Sequence, residues 1–294
     1  MSYNVIKIEE LKLKCSSPLE GMYKLSPLVW EESGVYKMLV RAVNTSEDAT
    51  QKVARVYSGI SKNGINFKMS DGPVIAPGIT SLDKDGCEDP TVVCISKGYL
   101  VYYTGWNQTK MEGQLLMAKG KTLDALTLNN VAIPSKKPYL NPKEASVTQL
   151  KNGKWNLLFE YADQHRSKLG KATSKHPEGP WKIKGEFLEA VKDNWDSYHL
   201  SPGPVLSDVN GETVMFYNGS DDKARWRIGW VKLDEKGKVT ERSKDPLITP
   251  PKSKPGETDI AFAASAVLVG KQIWLYYTTA DKSTFRAVIA CEKD

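Results

Sequence analysis

The sequence is poor in the residue types that build metal centres and disulfide frameworks. Its 294 residues include three histidines and four cysteines, with no CxxC pair and no zinc-like spacing between cysteine and histidine. Most of the cysteines lie in or beside apolar, strand-like segments, which favours free buried thiols in a reducing compartment. We therefore expect no metal ion and no cofactor. The cysteines are Cys15, Cys87, Cys94 and Cys291.

Long apolar runs and blocks of like charge are also missing. No apolar stretch approaches the ~18 residues that a membrane-spanning helix requires, and residues 1–7 contain no signal-peptide core. The 41 basic and 35 acidic residues are spread along the chain, giving a net charge of +6. Such a solvated surface gives little support for nucleic-acid binding. We expect a soluble, cytoplasmic protein with no membrane or nucleic-acid partner, and the oligomeric state stays open.

Convincing helical stretches are absent too, whereas one strand pattern recurs five times. Each copy has an apolar strand, a turn that ends in glycine, and a second strand rich in aromatic and β-branched residues. Two β-sandwiches would not repeat one hairpin at near-constant spacing. The repeats predict a single all-β domain over residues 1–294, a five-bladed β-propeller with four-stranded antiparallel blades. The turn glycines, roughly sixty residues apart, are Gly34, Gly98, Gly153, Gly211 and Gly270.

The ends of the chain predict how the ring of blades is closed. The fifth repeat ends near residue 291 without a fourth strand of its own, whereas residues 4–14 alternate apolar and polar side chains. An alternating segment of this kind is typical of an edge strand. We expect part of residues 4–14 to pair with the fifth blade and so to remove an open edge.

In a propeller the first strand of each blade lines the central channel, so the heads of these strands meet at one end. Carboxylates, amides, an arginine and aromatic rings there predict a carbohydrate site, with an oligosaccharide as the substrate. Burial and like charges should push the carboxyl pKa values apart. The acidic residues at the heads are Glu88, Asp89, Glu144, Glu257 and Asp259. The other candidates near this end are Arg41, Trp106, Asn107, Glu160, His199, Asn218 and Asp281.

These segments resemble glycoside hydrolase family 130, whose members are five-bladed enzymes that act on β-mannosides, mostly as inverting phosphorylases. Residues 86–90, Gly-Cys-Glu-Asp-Pro, are similar to the family's Gly-x-Glu-Asp-Pro-Arg motif. Residues 26–42, 201–219 and 276–281 are similar to other parts of its blades. The resemblance implies that Asp89 is the general acid. It implies a structural or substrate-binding role for Glu88.

The sequence departs from the family's pattern where phosphorolytic members hold phosphate. Thr91 replaces the motif arginine, Asn218 replaces a histidine, and Glu160 stands in a former His-Arg ending. A carboxylate would repel a phosphate dianion, but it could deprotonate a water molecule. We therefore predict an inverting hydrolase in which Glu160 is the base. Three rival bases are Glu144, Glu257 and Asp259.

Several alternatives stay open beside the hydrolase. One is a β-mannoside phosphorylase, a second is a related propeller glycosidase with another sugar preference, and a third is a non-catalytic sugar-binding propeller. Trp106 would stack on a sugar or cover a blade edge. The clan that contains families 43 and 32 fits poorly, because its first-blade acidic residue is replaced here by Ser26-Pro27.

Overall fold

The computed structural model describes residues 2–46, 48, 51–78, 82–252 and 259–292, and these residues form five β-sheets arranged as the blades of a propeller. The chain starts with β1 (Ser2–Glu10) and β2 (Lys12–Lys14). Blade 1 contains β3 (Tyr23–Glu32), β4 (Val35–Val43), β5 (Arg55–Ser61) and β6 (Asn66–Ile75). Blade 2 contains β7 (Gly86–Ile95), β8 (Gly98–Asn107), β9 (Glu112–Gly120) and β10 (Thr127–Ile133).

The remaining three blades follow the same order. Blade 3 contains β11 (Leu140–Gln149), β12 (Trp155–Asp163), β13 (Arg166–Ser174) and β14 (Lys182–Leu188). Blade 4 contains β15 (His199–Ser201), β16 (Val205–Val209), β17 (Glu212–Ser220), β18 (Trp226–Leu233) and β19 (Val239–Arg242). Blade 5 contains β20 (Ala261–Val269), β21 (Gln272–Thr279) and β22 (Ser283–Glu292). Short 3-10 helices occur at Leu19–Gly21 and Leu123–Ala125. The five-bladed β-propeller predicted from the repeats is confirmed.

The N-terminal segment closes the ring as predicted, but it joins two blades rather than one. Strand β1 pairs antiparallel with β22, from Ser2 opposite Glu292 to Glu10 opposite Phe285, and forms the outer strand of blade 5. Strand β2 instead pairs parallel with β6 of blade 1. The chain passes from blade 5 to blade 1 at the buried Leu11. The backbone N–H of Leu11 donates a hydrogen bond to blade 5, and the N–H of the next residue, Lys12, donates one to blade 1. The expectation that part of residues 4–14 pairs with blade 5 is confirmed by β1, and the pairing of residues 12–14 with blade 1 is an additional finding.

The core lies between neighbouring blades, which explains the continuous apolar second strands. In β8, Leu100 and Tyr102 pack with Phe159 and other residues of blade 3. The alternate residues Val101 and Tyr103 pack towards blade 1. Because both faces of the blade are covered, the period-two alternation of a half-exposed strand disappears. No helix in the described ranges is long and apolar enough to cross a membrane.

The four cysteines are free, but they are not uniformly buried. Cys87 is buried, Cys15 and Cys291 are partly buried, and Cys94 is exposed. The exposure of Cys94 corrects the expectation of buried thiols. It follows from strand alternation, because the neighbouring Val93 occupies the inward-facing position on β7.

Candidate active site

Three side chains face the channel at the points where the innermost strands of blades 1 to 3 stop pairing with the second strand of the blade. In β3, β7 and β11 the pairing with the next strand is interrupted over two residues. The first residue of each interruption has a left-handed φ, 48° for Ser26, 50° for Asp89 and 52° for Glu144. This conformation is unfavourable for residues with a Cβ and concentrates at functional sites, where the surrounding structure holds it. The sequence repeat thus places one polar side chain per blade at the same point.

These three side chains line a cavity of about 210 Å³ at one end of the channel. A second cavity of about 170 Å³ runs between the inner strands and shares the same three residues. A sheltered polar cavity of this kind suits a sugar ring, whose hydroxyls need many hydrogen-bond partners. The charged residues on the wall of the larger cavity are Arg41, Asp89, Lys143, Glu144, Glu160 and Asp281.

Asp89 is almost fully buried, and one of its carboxylate oxygens accepts two hydrogen bonds. Its Oδ1 accepts a hydrogen bond from Ser26 Oγ at 2.8 Å and one from Arg41 Nη1 at 3.1 Å. Arg41 Nη2 also lies 3.1 Å from Glu88 Oε1, so one guanidinium joins both carboxylates of the Glu-Asp-Pro motif. Burial alone would raise the pKa of Asp89, but the charges of Arg41 and Lys143 outweigh it and lower that pKa. These contacts favour the ionised form of Asp89.

Lys143 and Glu160 form a second ion pair on the cavity wall. Lys143 Nζ lies 3.3 Å from Glu160 Oε1, and the Glu160 side chain is 3% exposed. The Glu160 carboxylate raises the pKa of Lys143, and Glu144 and Asp89 act in the same direction. Lys143 was not among the residues predicted for the site, although it directly precedes Glu144 in the sequence. Its position beside Glu144 made it recognisable.

Two other carboxyl groups on the wall lie in surroundings that favour the protonated form. Burial and the neighbouring Asp89 carboxylate raise the pKa of Glu144 well above its ordinary range. Burial also raises the pKa of Asp281, against the opposing charge of Arg41. The pKa of Glu88 is raised as well, mainly by burial. The carboxyl pKa values are thus driven apart, as the clustering of acidic residues at one end of the channel predicted.

Aromatic rings form the wall contributed by blades 4 and 5. Trp226 lines the cavity and meets Phe262 edge-on, with the ring centroids 5.2 Å apart. His199 stacks behind Trp226 at 5.7 Å, and its Nδ1 accepts a hydrogen bond from the backbone N–H of Ser167. Burial lowers the pKa of His199, against the opposing Glu160 charge. His199 was among the residues predicted for the site. Trp226 and Phe262 were not, although both are aromatic residues within the repeat.

Trp106 lies in a neighbouring pocket of about 370 Å³, between blades 2 and 3. That pocket also contains Glu88 and shares Lys143 and Glu160 with the main cavity. The Trp106 indole is fixed by a hydrogen bond from Nε1 to Gln108. Trp106 therefore borders the site rather than the channel itself.

Three further predicted residues line neither the main cavity nor the pocket of Trp106. Asn218 is fully buried between blades 4 and 5, where its side chain bonds to the backbone of Pro202 and Ala263. Asn107 accepts a hydrogen bond from a backbone N–H within its own turn. Asp259 lies 3.5 Å from Arg227 Nη2.

Two further expectations about the site concern Glu257 and a metal ion. Glu257, a rival base, lies outside the described residues. Where the chain is described, no three His, Cys, Asp or Glu side chains are grouped so that they could hold a metal ion.

Comparison with known proteins places the chain in a family. A family model described as β-1,4-mannooligosaccharide phosphorylase, for glycoside hydrolase family 130, matches residues 25–293. The chain belongs to glycoside hydrolase family 130. The resemblance drawn from residues 86–90 and the other motifs is therefore confirmed.

Two relatives and one solved structure that resemble this chain are named as phosphorylases. A 1,2-β-oligomannan phosphorylase from Thermoanaerobacter sp. (strain X514) is 26% identical over 262 residues, which cover 85% of this chain and 84% of the relative. A β-1,2-mannobiose phosphorylase from the same organism is 25% identical, with 84% and 80% covered. The solved β-1,2-mannobiose phosphorylase from Listeria innocua, in complex with β-1,2-mannobiose, has a TM-score of 0.79 at 17% identity. The match covers 98% of this chain and 96% of that one. These names favour the phosphorylase alternative over the hydrolase.

Proposed function

We propose that this family 130 enzyme cleaves β-mannosidic bonds of oligomannosides by phosphorolysis, with inversion at the anomeric carbon. The observation that carries the proposal is the pair of cations, Arg41 and Lys143, on the cavity wall. The hydrolase was predicted from the sequence because a carboxylate at this site would repel phosphate. The raised pKa values of Glu144 and Asp281 act against the negative charge that the number of carboxyl groups suggests. The names of the relatives support the same conclusion.

Each charged group then has a distinct role in the proposed reaction. Asp89 delivers a proton to the leaving oxygen of the sugar, and Arg41 fixes the orientation of the Asp89 carboxyl group. Lys143 is assigned to the incoming phosphate, because it contacts one carboxylate, that of Glu160, whereas Arg41 already holds two. A positioned ammonium group stabilises a phosphate dianion inside a water-poor cavity more strongly than it would in bulk solvent.

Hydrolysis remains the second candidate, and the Lys143–Glu160 ion pair favours it. The Glu160 carboxylate already lies 3.3 Å from the Lys143 ammonium group. A phosphate bound to Lys143 would therefore lie beside a carboxylate. In an inverting hydrolase, the same carboxylate would activate a water molecule. Glu160 is the base in this alternative, as the sequence predicted.

Phosphate dependence separates the two candidates. Purified protein is incubated with β-1,2- and β-1,4-linked manno-oligosaccharides in buffers with and without inorganic phosphate, and products are followed by ³¹P and ¹H NMR. We expect cleavage only with phosphate, and accumulation of α-mannose 1-phosphate. Release of free mannose at the same rate in phosphate-free buffer would overturn phosphorolysis and leave the hydrolase. Sugar binding without turnover under either condition would favour the non-catalytic alternative.

The role of Lys143 is tested with a matched variant. Lys143→Met should raise the KM for phosphate by about ten-fold or more, the order expected for losing one charge-assisted contact. The KM for the sugar should change less. Lys168→Met is the control, because Lys168 pairs with Asp163 and Glu186 away from the cavity. Equal losses in the two variants would exclude a phosphate-binding role for Lys143.

A further inference from the structure

We propose that Asp89 and Glu144 act as one carboxyl pair, in which Glu144 holds the proton that Asp89 delivers to the leaving oxygen. The inference rests on the proposed function, because it takes Asp89 as the acid of mannoside cleavage. It adds Glu144 as a positioning residue that acts through Asp89. In the sequence, Glu144 was only a rival base.

The backbone brings the two carboxyl groups together. Asp89 and Glu144 occupy the same place in adjacent blades, at the first residue of the interrupted ladder, with φ values of 50° and 52°. Both side chains line the main cavity and the channel below it. The two carboxyl groups lie within hydrogen-bonding reach of each other, and a hydrogen bond between them requires that one of the two carries a proton.

The surroundings decide which group carries that proton. Asp89 Oδ1 accepts hydrogen bonds from Ser26 Oγ and Arg41 Nη1, and both bonds favour the ionised form. Glu144 forms no ion pair with any lysine or arginine in the part of the chain that the structure describes. The nearest candidate, Lys143, is engaged by Glu160 at 3.3 Å. Asp89 is buried and Glu144 is partly buried, and two adjacent carboxylates in such surroundings repel each other, so the less supported group, Glu144, is the one that stays protonated.

The charges that face Glu144 agree with this assignment. The carboxylates of Asp89 on β7 and Glu160 on β12 favour protonation of Glu144, while Lys143 on β11 and Arg41 on β4 oppose it. Burial adds to the first effect and is the larger cause of the raised pKa of Glu144. The pair thus keeps one proton at pH values where an isolated glutamic acid would have lost it.

The proton balance of the reaction can be followed through the pair. Asp89 first takes the proton of Glu144 and then passes it to the leaving oxygen as the glycosidic bond breaks, so that both groups end as carboxylates. The phosphate oxygen bonds to the anomeric carbon and releases its own proton to the medium. The pair regains one proton before the next turnover. No further co-reactant is required.

The test uses the dependence on the leaving group. In Glu144→Gln the side chain still donates a hydrogen bond but cannot give up a proton. We expect kcat/KM for mannobiose to fall about 100-fold, the lower range for loss of general acid catalysis. Activity on 2,4-dinitrophenyl β-mannoside, whose leaving group needs no proton, should fall less than ten-fold. Glu178→Gln, at an exposed ion pair with Lys119, is the control and should match the wild type.

The pH profile and a titration of the free protein complete the test. The basic limb of kcat/KM for mannobiose should lie at lower pH in Glu144→Gln, because Asp89 must then hold the proton beside Arg41. A purely structural role would lower the rate equally at all pH values and for both substrates, and that result would overturn the proposal. In ¹³C-glutamate-labelled wild-type protein, Glu144 should titrate well above an ordinary glutamic acid. This measurement needs no turnover, so it distinguishes failure of the pair from failure of the proposed function.

Discussion

Replacing Arg41 by methionine tests whether the guanidinium determines the charge state of the site. Methionine has a similar length, so the change removes charge and hydrogen bonds without opening a large void. Arg41 contacts Asp89 and Glu88 at 3.1 Å each, and its side chain is 22% exposed. Removing one partner of a buried ion pair typically costs about 3–5 kcal/mol, because the remaining charge stays buried. At ~2–4 °C per kcal/mol for a large domain, the melting temperature should fall by roughly 10 °C near neutral pH.

The size of this loss should depend on pH in a defined direction. In the wild type the pKa of Asp89 is lowered, so its stabilising contribution is present above its unfolded pKa and is lost as the pH falls. Without Arg41, burial leaves the pKa of Asp89 and of Glu88 above their unfolded values. Stability of the variant is then greatest below the unfolded pKa values and falls as the pH rises. The gap between wild type and variant should therefore widen from pH 5 to pH 8.

Thermal unfolding at pH 5, 6.5 and 8 measures this gap. Arg225→Met is the matched control, because Arg225 forms an ion pair with Asp221 and its side chain is 49% exposed. Exposed pairs of this kind contribute little to stability, so the control should show no marked pH dependence. A gap for Arg41→Met that stays constant with pH, or that equals the control, would refute the electrostatic account of this site.

Two further predictions concern the seams between blades. Asn218→Ala leaves one N–H and two carbonyl groups without a partner between blades 4 and 5, so urea unfolding should show a loss of about 2–5 kcal/mol. A loss below about 1 kcal/mol would contradict that role. Tyr3→Ala should lower the free energy of unfolding by about 3–5 kcal/mol, because the Tyr3 ring on blade 5 packs against Phe216 and Trp230 of blade 4. Tyr3→Phe should be close to neutral, since the Tyr3 hydroxyl has no partner within the described structure, and a large loss there would contradict the account.

The fold could be predicted because its determinants are local and repeated. Each hairpin has its own turn glycine and apolar strands, and five copies of one pattern are compatible with few architectures. The pairing of β2 could not be predicted in the same way. Residues 11–14 continue the alternation of β1, and the change from blade 5 to blade 1 depends on where Leu11 is buried in the assembled ring.

The site could be predicted in part, for the same reason. The repeat positions identified Arg41, Asp89, Glu144, Glu160 and Asp281, and the structure brings these residues to one cavity. Strand positions alone did not determine orientation. Asn218 occupies a strand end, as Glu160 does, yet its side chain points to the seam between blades. A shift of one residue in a strand exchanges its two faces, and the sequence pattern does not fix that shift when both faces are buried.

The choice between phosphate and water depends on the Lys143–Glu160 pair, which a count of charges cannot describe. Arg41 and Lys143 face the carboxyl groups of Asp89 and Glu160 across the cavity wall, and the raised pKa values of Glu144 and Asp281 act against further negative charge, so a neutral sugar can enter without adding charge. A phosphate dianion adds negative charge beside Glu160, so the Glu160 carboxylate opposes its binding to Lys143, and opening of the ion pair would relieve this repulsion. A water molecule requires no such opening, because it can accept a hydrogen bond from Lys143 and donate one to Glu160. Phosphate dependence of turnover therefore reports whether this ion pair opens during the reaction.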